Sequence, residues 1–215
     1  MDQAAGEGVG GEMPARLEGD ADGLSGPVPD RNYVAQARLG NGTAAAEAFF
    51  RDRLGDIDEP TLPFGLRDVQ GDGVGIEEAH LTLDPTQARQ LREQARASGV
   101  SAASLMHLAW ARLVGVLANR SDVVFGTVLM GRLHGGEGVE RALGVFINTL
   151  PLRLEVAGLA VADAVRATQQ RLTALLAHEH APLALAQRCS GLPVGAPLFT
   201  TLLNYRHGSA GHTDR

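Results

Sequence analysis

Apolar positions first recur at helical spacing over residues 43–54 (TAAAEAFFRDRL). This Ala-rich run predicts a helix, with Thr43 as its cap and Gly55 just beyond its end. Residues 57–75 break the pattern with Pro60, Pro63, Gly71, Gly73 and Gly75 and read as a loop. His80–Leu83 then alternates polar and apolar, as a half-buried strand does. Asp84 caps a following helix with Pro85 at its first position, Gln87 at its third and Gly99 at its far end. Ser101 caps a second helix, 102–119. Its Leu105, Leu108, Ala109, Leu113, Val116 and Leu117 fall on one stripe, predicted to face the core.

Residues 122–129 (DVVFGTVL) are β-branched and nearly continuously apolar, the pattern of a strand buried on both faces. A Gly-rich loop at 131–138 separates them from a second apolar strand over Phe146–Leu154. A helix over 161–177 directs Val161, Val165, Leu172, Leu175 and Leu176 inward. A short helix, 182–189, leads to a last strand, 198–205 (LFTTLLNY). The resulting order predicts an α/β fold in which helices cover a sheet.

With 215 residues, 44% hydrophobic and 20% charged, the chain has the make-up of an ordinary globular protein with ample length to bury a core. The single Cys189 excludes an intramolecular disulfide and fits a reducing compartment. No apolar run approaches the roughly 18–20 residues that span a bilayer, and no secretory signal pattern is present. A cytoplasmic location is expected. Charge adds more. All 19 basic residues are Arg, against 25 acids, for a net charge of -6. Residues 1–30 hold seven of those acids and only Arg16, so the first segment accounts for the whole imbalance. The charge-balanced remainder lacks the surplus cation that phosphate neutralisation needs, which excludes a basic nucleic-acid-binding domain. Residues 1–30 are expected to be a disordered, acidic, Gly-rich leader that ends in a Pro27/Pro29 hinge.

Candidate chemistry is sparse. His178 and His180 are two apart, which on a helix sets their rings about 200° apart and argues against a shared metal. Asp68, Gln70, Asp72 and Gly73 imitate the start of a calcium loop, but Ala79 stands where the bidentate Glu is required. His107, between Met106 and Leu108, reads as a packed histidine, and Cys189 as a small buried hydrophobe. No G-x-S-x-G elbow occurs, and GRLHGGEG (131–138) lacks the ending of a phosphate loop. These residues specify no reaction and no metal.

The order of the longer motifs is more informative. FGTVLMGR (125–132), LGVFINTLPLR (143–153), HEHAPLALAQ (178–187) and PLFTTLLNYRH (197–207) follow one another. Upstream come RNYVAQARLG (31–40), AFFRDRLGDIDEPTLPFGL and VSAASLMHLAWARLV (100–114). Together they resemble the later half of a condensation domain of non-ribosomal peptide synthetases, over about Arg31 to His207. The resemblance implies a chloramphenicol acetyltransferase-like fold, two lobes flanking a tunnel. There an acceptor amine attacks a donor thioester, both carried on the phosphopantetheine arms of carrier proteins. In that family an HHxxxDG motif supports the reaction.

No His-His pair occurs in this sequence. The expectation is therefore one lobe only: a partial condensation domain, 31–215, mostly the C-terminal lobe and truncated at its end, without a catalytic residue and inactive alone. Its expected partners are peptidyl carrier proteins and a complementary lobe, with no bound cofactor. A non-catalytic docking module and a decayed gene remnant are the alternatives. By resemblance, Gly131 and Arg132 lie at the lobe junction, where the Arg would meet the Asp of the absent motif; a solvated loop Arg is the other reading. Gly144, Asn148 and Thr149 lie near the tunnel floor, where Asn148 shapes either the channel or a turn. Strands left open at the junction, 198–205 above all, predict self-association.

Overall fold

The computed structural model describes residue 17 and residues 42–67, 74–132 and 146–206. Apart from Leu17, the acidic leader lies outside these residues, as do Gly144 and the calcium-like stretch. Helix α1, Thr43–Leu54, begins at its expected cap residue instead of after it. Gly42 is the N-cap, its carbonyl accepting from Ala45 and Ala46, and Thr43 is already helical. Ala46, Phe50 and Leu54, one helical turn apart, form its buried stripe. Helix α2, Pro85–Ala97, starts as its sequence dictates. The Asp84 carboxylate accepts from the backbone N–H of Thr86 at 2.8 Å and of Gln87 at 3.3 Å. Gly99 then closes the turn at φ 67°, a conformation that costs a residue with a Cβ.

Helix α3, Ala102–Ala118, is capped by Ser101 as expected. The expected stripe is rotated, however. The buried residues are Ser104, His107, Leu108, Ala111, Val114 and Gly115, while Leu113 and Val116 are exposed. Small residues decide the contact face. At Gly115 a Cβ would lie 2.8 Å from the Arg120 carbonyl oxygen and 3.1 Å from Val156, so only this face allows the close approach. Ranking by bulk alone selects the wrong side.

Strand β1, Asp122–Leu129, is central in a three-stranded sheet of order β2-β1-β3. Strand β2, Asn148–Glu155, runs antiparallel to it, pairing Leu129 with Asn148 and Asp122 with Glu155. Val123, Val124 and Phe125 are all buried, so β1 is covered on both faces. Helix α4, Val161–Leu176, packs Ala164, Val165, Thr168, Leu172 and Leu175 inward. Val161, expected inside, is the first residue of the helix and is exposed. Helix α5, Leu183–Arg188, completes the cover with Leu185 and Ala186. Phe50, Leu54, Phe125, Leu150, Leu152, Leu154, Leu175 and Leu198 form the centre of the core.

Two expected strands differ. Residues 80–83 form no strand, for no partner ladder exists among the described residues. The expected strand 198–205 is reduced to β3, Leu202–Leu203, parallel to β1. The cause is Thr61, which lies between the two chain segments. Its N–H donates to the Leu198 carbonyl at 3.1 Å, and its hydroxyl oxygen accepts from the Val124 N–H at 2.9 Å. Beyond that wedge, Gly126 pairs directly with β3 and admits Phe199, whose ring would lie 2.7 Å from a Cβ there.

Candidate functional site

Four of the five residues singled out by the motifs come together at one end of the sheet. β1 leads past Leu129 into Gly131 and Arg132, and β2 begins opposite with Asn148 and Thr149. Gly131 has φ 66°, and a Cβ there would collide with the Phe146 carbonyl oxygen. The backbone turn therefore requires glycine twice over. Its neighbour Arg132 lays its guanidinium over the Phe146 ring, 4.2 Å from the centroid. A cation–π contact of this kind holds the side chain against the sheet end.

The Asn148 side chain is committed to backbone. Its amide nitrogen donates to the carbonyls of Glu179 and Ala181, both at 2.8 Å. Its oxygen accepts from the Thr149 N–H at 2.9 Å. The residue thus ties the start of β2 to the turn after α4. Within the same turn, His178 stacks on Phe49 with centroids 4.3 Å apart, and His180 Nε2 lies 3.6 Å from a carboxylate oxygen of the buried Glu179.

His107 is the buried histidine nearest the middle of β1. The Ala103 carbonyl can only accept, so Nδ1 carries the proton that it donates there at 2.7 Å. Nε2 then accepts from the Thr127 hydroxyl, also at 2.7 Å. Burial lowers its pKa below the ordinary value of 6.5 and keeps the ring neutral. Both nitrogens are occupied, which makes His107 a strut between α3 and β1. Cys189 is buried with its thiol pushed up by desolvation, and its Sγ faces the Glu47 carbonyl at 3.6 Å. It behaves as a packed hydrophobe.

The opposite end of the sheet holds a feature that sequence reasoning missed. Arg153 donates through Nε and Nη2 to Asp122, through Nη1 and Nη2 to Asp56, and through Nη1 to the Arg53 carbonyl. These bonds to Asp122 and Asp56 raise its pKa, and Arg153 in turn holds the Asp56 carboxyl below its usual value. The guanidinium borders a polar cavity of about 470 Å³ with Arg51, Arg171 and Glu155. Every donor of Arg153 is engaged, so it acts as a clamp from β2 to β1 and to the end of α1. The legible signal was an Arg between two leucines in LPLRLE, whose antiparallel partner opens with Asp122.

The family follows from the whole chain. The profile of the condensation domain matches residues 32–210. This chain belongs to the condensation domain family. Malpibaldin synthetase of Mortierella alpina is 51% identical over 202 residues, 94% of this chain and 4% of the relative. A nonribosomal peptide synthetase of Gibberella zeae is 34% identical over 162 residues, 75% of this chain and 2% of the relative. The condensation domain of the Monacolin K polyketide synthase superposes with a TM-score of 0.70 at 21% identity, over 97% of this chain and 52% of that one. The first condensation domain of the calcium-dependent antibiotic synthetase, solved with a substrate analogue, gives 0.68 at 22%, over 88% and 41%. The chain therefore spans about half of the solved condensation domains it matches and a few per cent of the curated relatives. The expected chloramphenicol acetyltransferase-like fold is the one found.

Proposed function

We propose that this chain forms one lobe of a condensation domain in peptide natural-product biosynthesis and supplies a wall of the tunnel without the reacting proton carrier. The family joins carrier-protein-tethered acyl or peptidyl thioesters to aminoacyl thioesters; the chain would meet those carrier proteins in the cytoplasm. The observation that carries this reading is the sheet end itself. Gly131, Arg132, Asn148 and Thr149 meet there as a rigid platform, and none of them can take up or give a proton near neutral pH. The neutral, doubly bonded His107 cannot stand in for that role. Amide formation then needs a second lobe bearing HHxxxDG, brought against this end.

The test mixes the chain with donor and acceptor carrier proteins loaded through phosphopantetheine, with and without a separate HHxxxDG-bearing lobe. Condensed product, read by mass spectrometry, is expected only when that lobe is present. Product from the chain without it would overturn the reading.

A further inference from the structure

Arg51 and Arg53 of α1 and Arg171 of α4 bring three further guanidiniums to the polar cavity that Arg153 borders. Their partners are unequal. Arg153 engages both Asp56 and Asp122. Arg51 is paired with Glu47 on its own helix at 2.6 Å. Arg53 and Arg171 are less well served. The Arg53 Nε is buried and makes no hydrogen bond among the described residues, although an Asp52 carboxylate oxygen lies 3.2 Å away. A guanidinium carries five N–H donors, yet half-buried Arg171 makes one hydrogen bond among the described residues, from Nη1 to the Arg153 carbonyl at 3.4 Å. Burial first, and then the guanidiniums of Arg53 and Arg153, hold the Arg171 pKa below its ordinary value, against the weaker attraction of Asp122 and Glu155. The potential at Arg171 is therefore positive. Asp52 and Glu155, the carboxylates that Arg153 does not engage, are exposed and screened by water. Complementing a helix end explains Arg51 and Arg53, which stand in the last turn of α1. It does not explain Arg171, which lies outside the last turn of α4.

We propose that Arg53 and Arg171 form a binding site for a phosphate monoester, a small polar molecule that carries a dianionic phosphate. Donors that converge from two different helices need an acceptor with oxygens in more than one plane. A carboxylate offers two coplanar oxygens, which a single guanidinium fork satisfies alone, whereas a phosphate monoester offers three oxygens and nearly two charges. The volume selects an ester over the free ion. At about 470 Å³ the cavity has the size of a small-molecule site, for which about 300–1,000 Å³ is usual. Its charged lining suits a hydroxylated ester group and not an acyl chain. The paired guanidiniums favour a dianion over a phosphodiester, which carries one charge.

Calorimetric titration of the full chain at fixed ionic strength tests the site. Glycerol 3-phosphate serves as the monoester, with inorganic phosphate, dimethyl phosphate and glycerol as comparisons. The monoester is expected to saturate with a Kd of about 0.1–1 mM, at least about tenfold tighter than inorganic phosphate or dimethyl phosphate. Glycerol should give no binding heat. Between pH 7.5 and pH 5 the ester takes up its second proton, whose pKa is about 6, while the arginines stay charged, so the affinity should fall about tenfold. Arg53→Gln and Arg171→Gln should each weaken binding at least about tenfold, and Arg89→Gln, on the exposed side of α2, should leave it unchanged. Urea midpoints show which variants fold; if Arg171→Gln does not, Arg53→Gln and the pH step still decide. Three results would overturn the proposal: no saturable binding of the monoester, an affinity that a folded Gln variant keeps, or an affinity indifferent to pH. Inorganic phosphate bound as tightly as the ester would overturn the ester and assign the cavity to the free ion. No carrier protein or condensed product enters this measurement, so its failure leaves the one-lobe reading standing.

Discussion

At Gly131 two constraints coincide, a positive φ and a backbone oxygen where a side chain would begin. Gly158 has only the first, with φ 81° and open space around it. The pair separates strain from collision. Gly158→Ala should cost about 1 kcal/mol, and Gly131→Ala about 3 kcal/mol or more, since a wrong φ and a clash add. Urea midpoints of the two variants check this, and equal losses would count against the collision. His107 gives a second prediction through proton linkage. Its folded pKa lies below 6.5, so the unfolded chain binds the proton more readily. Its contribution to stability is then full above about pH 6.5 and is lost as pH falls toward the folded value. Desolvated His178 acts in the same sense. The urea midpoint should fall between pH 7.5 and pH 5, and His107→Gln should lower it at pH 7.5 yet flatten the slope. The site was legible at this scale only in part. The motifs named Gly131, Arg132 and Asn148, which the fold brings to one end of the sheet, but an asparagine that shapes a channel and one that holds a turn share the same letters. Its hydrogen bonds to residues 179 and 181 arise from the fold.

At the scale of elements, local chemistry was readable and pairing was not. Asp84–Pro85 and Ser101 set their helix starts because a cap acts within three residues. β1 matched its expected span because, Asp122 and Thr127 apart, it is an unbroken apolar run, and six of its eight residues are buried. The face of α3 and the length of β3 depend on neighbours remote in sequence, namely Val156 and Thr61, which no local pattern encodes. Thr61 is accordingly a sharp probe. Thr61→Val keeps the shape but strands the buried Val124 N–H, at a cost of about 1–3 kcal/mol. Thr61→Ser, which keeps the hydroxyl, should lose less, and chemical denaturation of both variants decides it. Arg153 is the counterpart at the other end of the sheet, with a side chain 20% exposed. Arg153→Lys cannot reproduce paired bonds to two carboxylates and a carbonyl. A loss of about 1–2 kcal/mol is expected, and it should shrink in high salt as screening weakens the charge contacts. A lysine variant as stable as the parent would show the clamp to be ornamental.

For the whole molecule, exposed apolar surface is the feature that the core does not explain. Beyond Ile76–Leu83 it includes the outward side of α3 and the start of α4, where Leu113, Val116, Leu159 and Val161 are exposed. The part around Val116 borders a cavity of about 340 Å³ floored by Gly115 and Val156 and flanked by Arg112 and Arg120. The free edge of β2 is an unfavourable place for association. The Thr149 N–H is taken by Asn148, Pro151 has no N–H, and the Arg153 carbonyl accepts from Arg171 at 3.4 Å. Contact between copies should therefore run through side chains on the α3 face and not through that strand. Sedimentation velocity of the full chain is expected to show concentration-dependent association that Val116→Glu reduces by at least about tenfold in affinity. Because Val116 is 78% exposed, the same substitution should leave the stability within about 0.5 kcal/mol of the parent. Association that persists in Val116→Glu but disappears in Leu81→Asp would move the contact to the 76–83 segment. A chain that stays monomeric at every concentration would remove the expectation of self-association altogether.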